Sequence, residues 1–363
     1  MRSPHGLSRL SLPRLLRRRR ITSGRLSFVL LCALLLAPAH ALADESGVSF
    51  WLPGQFGSLA AAPQVPGWQF ATVNYFTSVK ASGNVAAAKE IQIGRFSPTL
   101  KVNLNVELKA QPDLQFFSGT YVFPISVLGG QFALGMTTAA GYSHVLIDGT
   151  LTAALGPFTA TRTGSIGDSR TGFADLYPMA TLRWNAGVHN FMTYVTGDIP
   201  TGTYDPTRLA NFGIGHAAID GGVGYTYLNP KTGYEFSVVT GMTYNYENND
   251  TDYRNGNDWH LDWGASKFLT KQWQVGVVGY VYDQVTADRG ARPFLGSNES
   301  RVASVGPQIG YLIPLGSMQG YLNLKGYYEF DASRRPSGWN TWLTFAIMPS
   351  AEPPPAATRT AHR

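Results

Sequence analysis

Residues 232–258 read TGYEFSVVTGMTYNYENNDTDYRNGND, and the first part of this stretch alternates between two kinds of side chain. One parity is mainly apolar or aromatic and consists of Tyr234, Phe236, Val238, Thr240, Met242, Tyr244 and Tyr246. The other parity is mostly small or polar and consists of Glu235, Ser237, Val239, Gly241, Thr243, Asn245 and Glu247. Because a β-strand points successive side chains to opposite faces, the alternation predicts a strand with one apolar face. The fold then depends on whether that face contacts a second sheet or membrane lipid.

The lengths of the connections favour lipid. The second half of the chain reads as successive strands, several of them long enough to cross a bilayer at the tilt of a barrel strand. The predicted short connections are 185–187, 229–233, 269–272 and 314–318. The predicted long connections alternate with them and are 197–215, 247–258 and 286–300. Short periplasmic turns and longer extracellular loops are typical of outer-membrane barrels. The pattern predicts an all-β fold, an antiparallel transmembrane β-barrel of about 12–14 strands.

The positions of the aromatic residues point the same way. Seven tryptophans are predicted to lie close to strand ends, namely Trp68, Trp184, Trp259, Trp263, Trp273, Trp339 and Trp342. Aromatic rings collect where lipid headgroups meet hydrocarbon, so such a set is typical of the girdles of a membrane barrel.

The first 43 residues predict an export signal. A basic run at 17–20 precedes the apolar segment 26–38, and Ala41-Leu42-Ala43 forms a small-residue cleavage site. This segment holds eight arginines, no acidic residue and the single cysteine, Cys32. Of the 29 basic residues, 21 would remain after cleavage, against 23 acidic ones. The predicted mature chain is therefore slightly acidic and without thiols, which gives no support to nucleic-acid binding.

The sequence divides into four predicted regions. The signal peptide at 1–43 is followed by a Gly-, Pro- and Ala-rich segment at 44–67, the barrel at 68–348 and a Pro-rich, disordered tail at 349–363. Segment 44–67 has two interpretations. It is either a loose periplasmic lead or a hatch inserted into the barrel, with Phe50, Trp51 and Leu52 as the inserted residues.

Motifs for catalysis or metal binding are not found. The chain contains neither a G-x-S-x-G nucleophile elbow nor an H-E-x-x-H zinc motif, and the histidines of the predicted mature chain lack ligand spacing. Residues 250–256, DTDYRNG, resemble a calcium loop in part, but no Glu stands at its end. We therefore expect no enzyme activity, metal or cofactor. A catalytic triad assembled in space is the enzymatic alternative.

The polar parity of the strands predicts the residues that face the lumen. The candidates for a substrate path are Tyr280, Tyr282, Glu235, Asn245, His260, Asp262, Lys325 and Glu329. Most of these side chains are expected to brace the wall through hydrogen bonds, and the two tyrosines are the better ligand candidates because their rings can stack on a planar solute. In loop 197–215, Asp205 and Arg208 are expected to pair and fold the loop inward over the mouth.

Several blocks of the sequence resemble one known family. They include VPGWQFATVNYF (65–76), PTGTYD (200–205), NNDTDYRNG (248–256) and GYVYDQVTADRG (279–290). In these blocks the chain resembles the transporter-like outer-membrane proteins catalogued under the meta-pathway of phenol degradation. The resemblance implies a membrane barrel that passes small hydrophobic or aromatic compounds.

Together these observations predict an outer-membrane channel for passive uptake of small hydrophobic or aromatic compounds. Its expected partners are outer-membrane lipid, the solutes themselves and, during biogenesis, the barrel-assembly machinery. Two alternatives remain open at this stage. One is a structural or plugged barrel without transport, and the other is a hydrolase embedded in the outer membrane.

Overall fold

The computed structural model describes residues 49–84, 91–92, 99–155, 158–290 and 299–350. The predicted export signal lies outside these residues, as does the predicted tail from residue 351 onward. Among the described residues, no helix has both the length and the apolar character needed to cross a membrane.

Sixteen strands account for most of the described chain. They are β1 (Gly67–Asn84), β2 (Ile91–Gln92), β3 (Thr99–Val127), β4 (Gly130–Leu155), β5 (Phe158–Phe173), β6 (Tyr177–Ala186), β7 (His189–Asp198), β8 (Ala218–Leu228), β9 (Tyr234–Asn245), β10 (Tyr253–Arg254), β11 (Asp258–Phe268), β12 (Trp273–Gln284), β13 (Arg289–Gly290), β14 (Arg301–Leu315), β15 (Met318–Ser333) and β16 (Ser337–Pro349).

Twelve of these strands close into a barrel. Going round the wall, the order is β1-β16-β15-β14-β12-β11-β9-β8-β7-β6-β4-β3, and β3 pairs with β1 again. Every neighbouring pair is antiparallel. Closure leaves no edge within the wall, as hydrocarbon requires. The predicted antiparallel barrel is confirmed, with 12 strands.

The remaining strands lie outside this ring. Strand β5 pairs with the part of β4 beyond Ala140, β2 pairs with the start of β3, and β10 pairs with β13 as a separate ribbon. Because β3 and β4 run to 29 and 26 residues, they extend well beyond the 9–11 or so residues that cross a bilayer.

The two ends of the barrel differ in the length of their connections, as predicted. At one end β3–β4, β6–β7, β8–β9, β11–β12 and β14–β15 are joined by tight turns. In four of these turns a glycine takes a positive φ, at Gly129, Gly187, Gly233 and Gly316. A side chain would strain that conformation, so glycine is what allows so tight a connection. Most connections at the opposite end are longer.

The strand faces follow the predicted parity. In β9, Glu235 and Asn245 are buried, whereas Phe236 and Met242 are more than 40% exposed. Large apolar side chains are exposed on most of the barrel strands, including Phe70, Phe117, Leu134, Phe191, Val195, Val223, Phe236, Val277, Ile309, Leu324 and Leu343. A single wall with an apolar exterior and a polar interior is a membrane barrel and not a pair of packed sheets.

Two tryptophans depart from the predicted girdle. Trp263 lies at the centre of β11 and not near its end. Trp342 is buried inside the barrel, where its ring lies 4.6 Å from that of Tyr75 and its indole N–H donates to Asn340 at 3.0 Å. It lies near the middle of β16 and shares the inward parity of that strand with Asn340, so the predicted position at a strand end is wrong.

Candidate functional site

Residues 49–66, here called the plug, lie inside the barrel and precede β1. Trp51 and Ala61 are buried, and the plug backbone bonds to inward-facing side chains of the wall. The predicted hatch residues are in this segment. The Phe50 ring lies 6.0 Å from that of Tyr177, and Leu52 packs against the interior apolar cluster.

Two oppositely charged side chains hold one turn of the plug. Asp262 on β11 accepts hydrogen bonds from the N–H groups of Gly54 at 3.0 Å and Phe56 at 3.1 Å. Lys325 on β15 donates to the carbonyls of Gly54 at 2.7 Å, and of Gln55 and Phe56 at 3.3 Å. The carboxylate thus satisfies the donors of the turn and the ammonium satisfies its acceptors. Charge-assisted bonds of this kind are stronger than neutral ones, so this pair is the main anchor of the plug.

Two further wall residues bind the plug backbone nearer the short-turn end. Glu235 accepts from the N–H of Leu59 at 2.8 Å, and Thr226 accepts from that of Ala61 at 2.9 Å. The other oxygen of Glu235 accepts from Ser266 at 2.6 Å, which fixes the carboxylate in place. Backbone groups of the plug that would otherwise be buried without a partner are satisfied in this way.

The plug leaves an opening at the short-turn end. A cavity of about 470 Å³ is lined by plug residues such as Pro63 and Gln64 and by wall residues such as Gln131, Arg183 and Asn190. Arg183 donates to the Gln64 side chain at 2.6 Å and to the Ala60 carbonyl at 3.2 Å. The cavity therefore ends at the plug, and an arginine stands at that boundary.

The indole of Trp51 occupies an aromatic slot in the wall. Its ring lies 3.5 Å from that of His260 at an interplanar angle of 15°, and the rings of Phe56 and Tyr194 lie within about 6 Å of it. His260 Nε2 is 3.0 Å from Asp220 Oδ2 and 3.3 Å from the Tyr194 hydroxyl. We call the four wall and plug residues around the indole, His260, Asp220, Tyr194 and Phe56, the Trp51 slot.

Two glycines make room for this slot. A Cβ on Gly222 would lie 2.6 Å from the Tyr194 hydroxyl, and one on Gly241 would lie 2.3 Å from it. The Tyr194 side chain therefore crosses β8 and β9 at positions where the wall has no side chains. The glycines at these inward positions were the signal in the sequence for a ring lying flat on the wall, but they do not identify the ring.

The structure buries all eight side chains predicted to face the lumen. Four of them, Glu235, His260, Asp262 and Lys325, contact the plug as described above. Tyr280 donates to Glu329 at 2.6 Å and accepts from Asn340 at 2.9 Å. Its ring also lies against the plug at Gly54. The approach is close enough that a Cβ added to Gly54 would lie 3.0 Å from Tyr280 Cδ1.

The remaining predicted residues lie nearer the long-loop end. Asn245 donates to the carbonyl of Gly256 at 2.7 Å and to Asp258 at 2.9 Å. Tyr282 is buried with the guanidinium of Arg335 4.9 Å from its ring centre. Asn245 therefore braces a loop, Tyr280 lies against the plug, and Tyr282 packs against Arg335.

The outer loop 199–217 is folded over the long-loop end, but through a different pair from the one predicted. Arg208 binds Asp168 on β5, with Nη2–Oδ1 at 2.6 Å and Nε–Oδ2 at 3.0 Å. The N–H groups of Leu209 and Ala210 also donate to Asp168 at 3.0 Å. Asp205 instead caps its own turn through Thr207. The predicted Asp205–Arg208 pair is wrong because the carboxylate that Arg208 reaches comes from a strand 40 residues earlier.

A buried carboxylate fixes the centre of this loop. Asp175, between β5 and β6, accepts from the N–H groups of Gly202 at 2.6 Å and Ile214 at 2.9 Å. Burial raises the pKa of Asp175, although these backbone bonds partly offset the effect. The sequence does not identify Asp168 or Asp175, because their partners lie at distant positions, such as Gly202 for Asp175 and Ala210 for Asp168.

Among the described residues, no cluster of three or more His, Cys, Asp or Glu side chains could hold a metal ion. The geometry of His260 also differs from that of a catalytic triad. Both the carboxylate of Asp220 and the hydroxyl of Tyr194 approach the same nitrogen, Nε2, whereas a triad places them on opposite nitrogens.

Comparison with protein families gives a match over most of the chain. The family described as "Putative MetA-pathway of phenol degradation" matches residues 93–345. The chain belongs to this family. The resemblance seen in the sequence blocks is therefore confirmed, and the matched region comprises most of the barrel but begins after the plug.

Solved structures give the same fold. An outer membrane channel of the COG4313 group from Pseudomonas putida F1 has a TM-score of 0.51 at 12% identity, over 79% of this chain and 98% of that chain. A FadL homologue from Pseudomonas aeruginosa has a TM-score of 0.38 at 9% identity, over 82% of this chain and 93% of that chain. The first likeness supports the barrel fold, and the second adds no argument at that score. Comparison with curated proteins gives no match.

Proposed function

We propose that this protein is an outer-membrane channel through which small hydrophobic or aromatic compounds pass passively, and that the plug is its gate. The observation that carries the proposal is what lies in the lumen. A segment of the chain itself occupies it, and this segment is held chiefly by hydrogen bonds to a few wall residues, among them Asp262, Lys325 and Glu235. Opening then requires movement of a short segment and no rearrangement of the wall.

The proposal also places the protein in the outer membrane. Residence there includes an export signal at 1–43, contact of the apolar exterior with lipid, and insertion by the barrel-assembly machinery. Passage down a gradient uses no cofactor and no energy source. The aromatic lining around Trp51 and Tyr280 suits solutes with planar rings.

Flux through reconstituted protein tests the proposal. Liposomes carrying lipopolysaccharide would be loaded with protein, and entry of phenol-like and aliphatic solutes would be measured. We expect aromatic flux above protein-free liposomes, and several-fold more with the double variant Asp262→Asn/Lys325→Met, which loses the main plug anchor. Leu324→Val, a lipid-facing change next to Lys325, is the matched control and should behave like the wild type.

The same plug favours a second candidate, a structural barrel that never opens. The two differ in the double variant, since a sealed structural barrel would show no flux of any solute even after its plug is loosened. That result would replace the channel by the structural alternative.

The hydrolase alternative has one concrete candidate in the described chain. Ser169 lies 2.8 Å from His144 Nδ1 on the exposed β4–β5 hairpin. If the protein hydrolysed lipid, Ser169→Ala would abolish that activity. We expect no lipid hydrolysis by either the wild type or Ser169→Ala, measured as release of free fatty acid.

A further inference from the structure

The Trp51 slot contains more polar groups than its present occupant can use. Within the part of the chain that the structure describes, Trp51 Nε1, His260 Nδ1 and Asp220 Oδ1 are buried and without a hydrogen-bond partner. All three residues are at most 1% exposed. Buried polar atoms are normally paired, and each unpaired one costs free energy. Two unpaired atoms in the slot and one on the indole itself indicate that the slot suits a different ligand better.

The unpaired atoms of the wall are acceptors. His260 Nε2 faces Asp220 Oδ2 at 3.0 Å, so in the neutral imidazole the proton belongs on Nε2 and Nδ1 is an acceptor. Asp220 Oδ2 also accepts from Thr243 at 2.6 Å, which leaves Oδ1 as the second free acceptor. The indole of Trp51 carries one N–H donor, but the stacked geometry aims it at neither acceptor.

We propose that the Trp51 slot is a binding site for an aromatic ring that bears a hydroxyl group, and that Trp51 occupies it as an internal substitute for this ligand. A phenol has one ring in place of two, so it can occupy the slot without lying parallel to the imidazole and can then direct its O–H toward His260 Nδ1 or Asp220 Oδ1. Binding displaces the indole and frees the first residues of the plug. The inference rests on the proposed channel function and names both its preferred solute and the first step in opening the gate.

Displacement of Trp51 does not require the whole plug to leave. The indole precedes the turn held by Asp262 and Lys325, and the bonds from Glu235 and Thr226 lie further along the segment. Residues 49–53 can therefore move while residues 54–61 stay attached. Because a tethered side chain competes at an effective concentration on the order of millimolar, the solute is expected to bind weakly, in the millimolar range.

The environment of Trp51 can be observed directly by fluorine NMR. The full-length protein would be produced with 5-fluorotryptophan, purified in detergent, and the Trp51 resonance identified by its loss in Trp51→Phe. The resonance of Trp273, a lipid-exposed ring identified in the same way, is the internal control. Phenol, anisole and cyclohexanol would be titrated separately. Anisole has the ring without the donor, and cyclohexanol has the donor without the ring.

We expect phenol to shift the Trp51 resonance saturably and to leave the Trp273 resonance unchanged. Anisole should bind at least about tenfold more weakly, the effect of one lost hydrogen bond to a buried acceptor. Cyclohexanol should also bind more weakly than phenol, because it has no aromatic ring to stack in the slot. Asp220→Asn should weaken phenol binding by a similar factor. The comparison of the three solutes is made on the wild type and needs no variant. Equal shifts by all three solutes, or no shift of Trp51 by phenol, would overturn the inference.

The outcome separates this inference from the channel proposal. Saturable displacement of Trp51 without flux in liposomes would remove the channel function and keep the binding site. Flux of phenol with an unmoved Trp51 resonance would keep the channel and remove the site.

Discussion

At the scale of single residues, Gly264 decides how closely the plug approaches the wall. A Cβ at this position would lie 2.6 Å from the backbone nitrogen of Ser58 and 2.8 Å from its hydroxyl oxygen. Backbone cannot yield as a flexible side chain does, so Gly264→Ala must push the plug inward. We expect a cost of about 1–3 kcal/mol, typical of overpacking, borne by plug attachment.

Hydrogen exchange checks this expectation. The amides of Leu59 and Ala61 should lose protection in Gly264→Ala, while those of β11 keep theirs. Gly221→Ala is the matched control, because a Cβ there meets nothing closer than 3.7 Å. Equal protection of the plug in both variants would contradict the close approach that the structure describes.

The anchor of the plug gives a second prediction at this scale. Asp262→Asn keeps the size of the side chain but removes the charge that accepts from Gly54 and Phe56. Loss of one partner also leaves Lys325 buried without the opposite charge that faces the same turn. We expect the plug turn to open more readily by about 3 kcal/mol, or roughly a hundredfold in amide exchange of Phe56. Unchanged exchange of Phe56 would mean that Lys325 alone holds the turn.

At the scale of elements, the outer loop 199–217 carries a titratable group that couples its closure to pH. His216 is buried, its Nδ1 is 3.0 Å from the carbonyl of Ala217, and its Nε2 is 3.3 Å from Asn255. Burial lowers the pKa of His216 below its ordinary value of 6.5, although the Ala217 carbonyl and the nearby Asp175 oppose the effect. The closed loop therefore binds fewer protons than the opened loop just below pH 6.5, so acidification favours opening.

Asp175 acts in the opposite sense. Burial raises its pKa above 3.8, so closure costs less as the pH falls toward that value. We expect exchange of the Ile214 amide to quicken as the pH drops below 6.5, by up to about tenfold per pH unit after correction for the intrinsic rate. His216→Gln should remove this dependence. His189→Gln, at the short-turn end, should keep it, and equal behaviour of the two variants would refute the assignment.

At the scale of the whole molecule, the two-residue repeat of the strands predicts which face each side chain takes. It does not predict which residues from distant parts of the chain contact each other. Alternation predicts that Asp262 and Lys325 point inward, because side-chain direction in a strand is a local property. It did not show that Lys325 binds carbonyls 271 residues earlier in the chain. The predicted partner of Arg208 is wrong for the same reason, since its partner is Asp168. The predicted girdle position of Trp342 is wrong because an inward-facing aromatic residue and a girdle residue look alike in a sequence.

The tight turns lie at one end of the barrel and most of the longer connections at the other. This difference predicts the orientation of the barrel in the membrane, which is the last prediction. The long-loop end, with the projecting β4–β5 hairpin, should face outward, and the short turns should face the periplasm. Cys32 is the only cysteine and lies in the predicted signal, so single cysteines introduced elsewhere report topology without background. Ser165→Cys on the exposed hairpin should react in intact cells with a maleimide attached to a large polymer. Lys231→Cys, in the tight β8–β9 turn, should react only after the outer membrane is opened. If Lys231→Cys reacted in intact cells and Ser165→Cys did not, the barrel would stand the other way up, and the plug would close it from the opposite side.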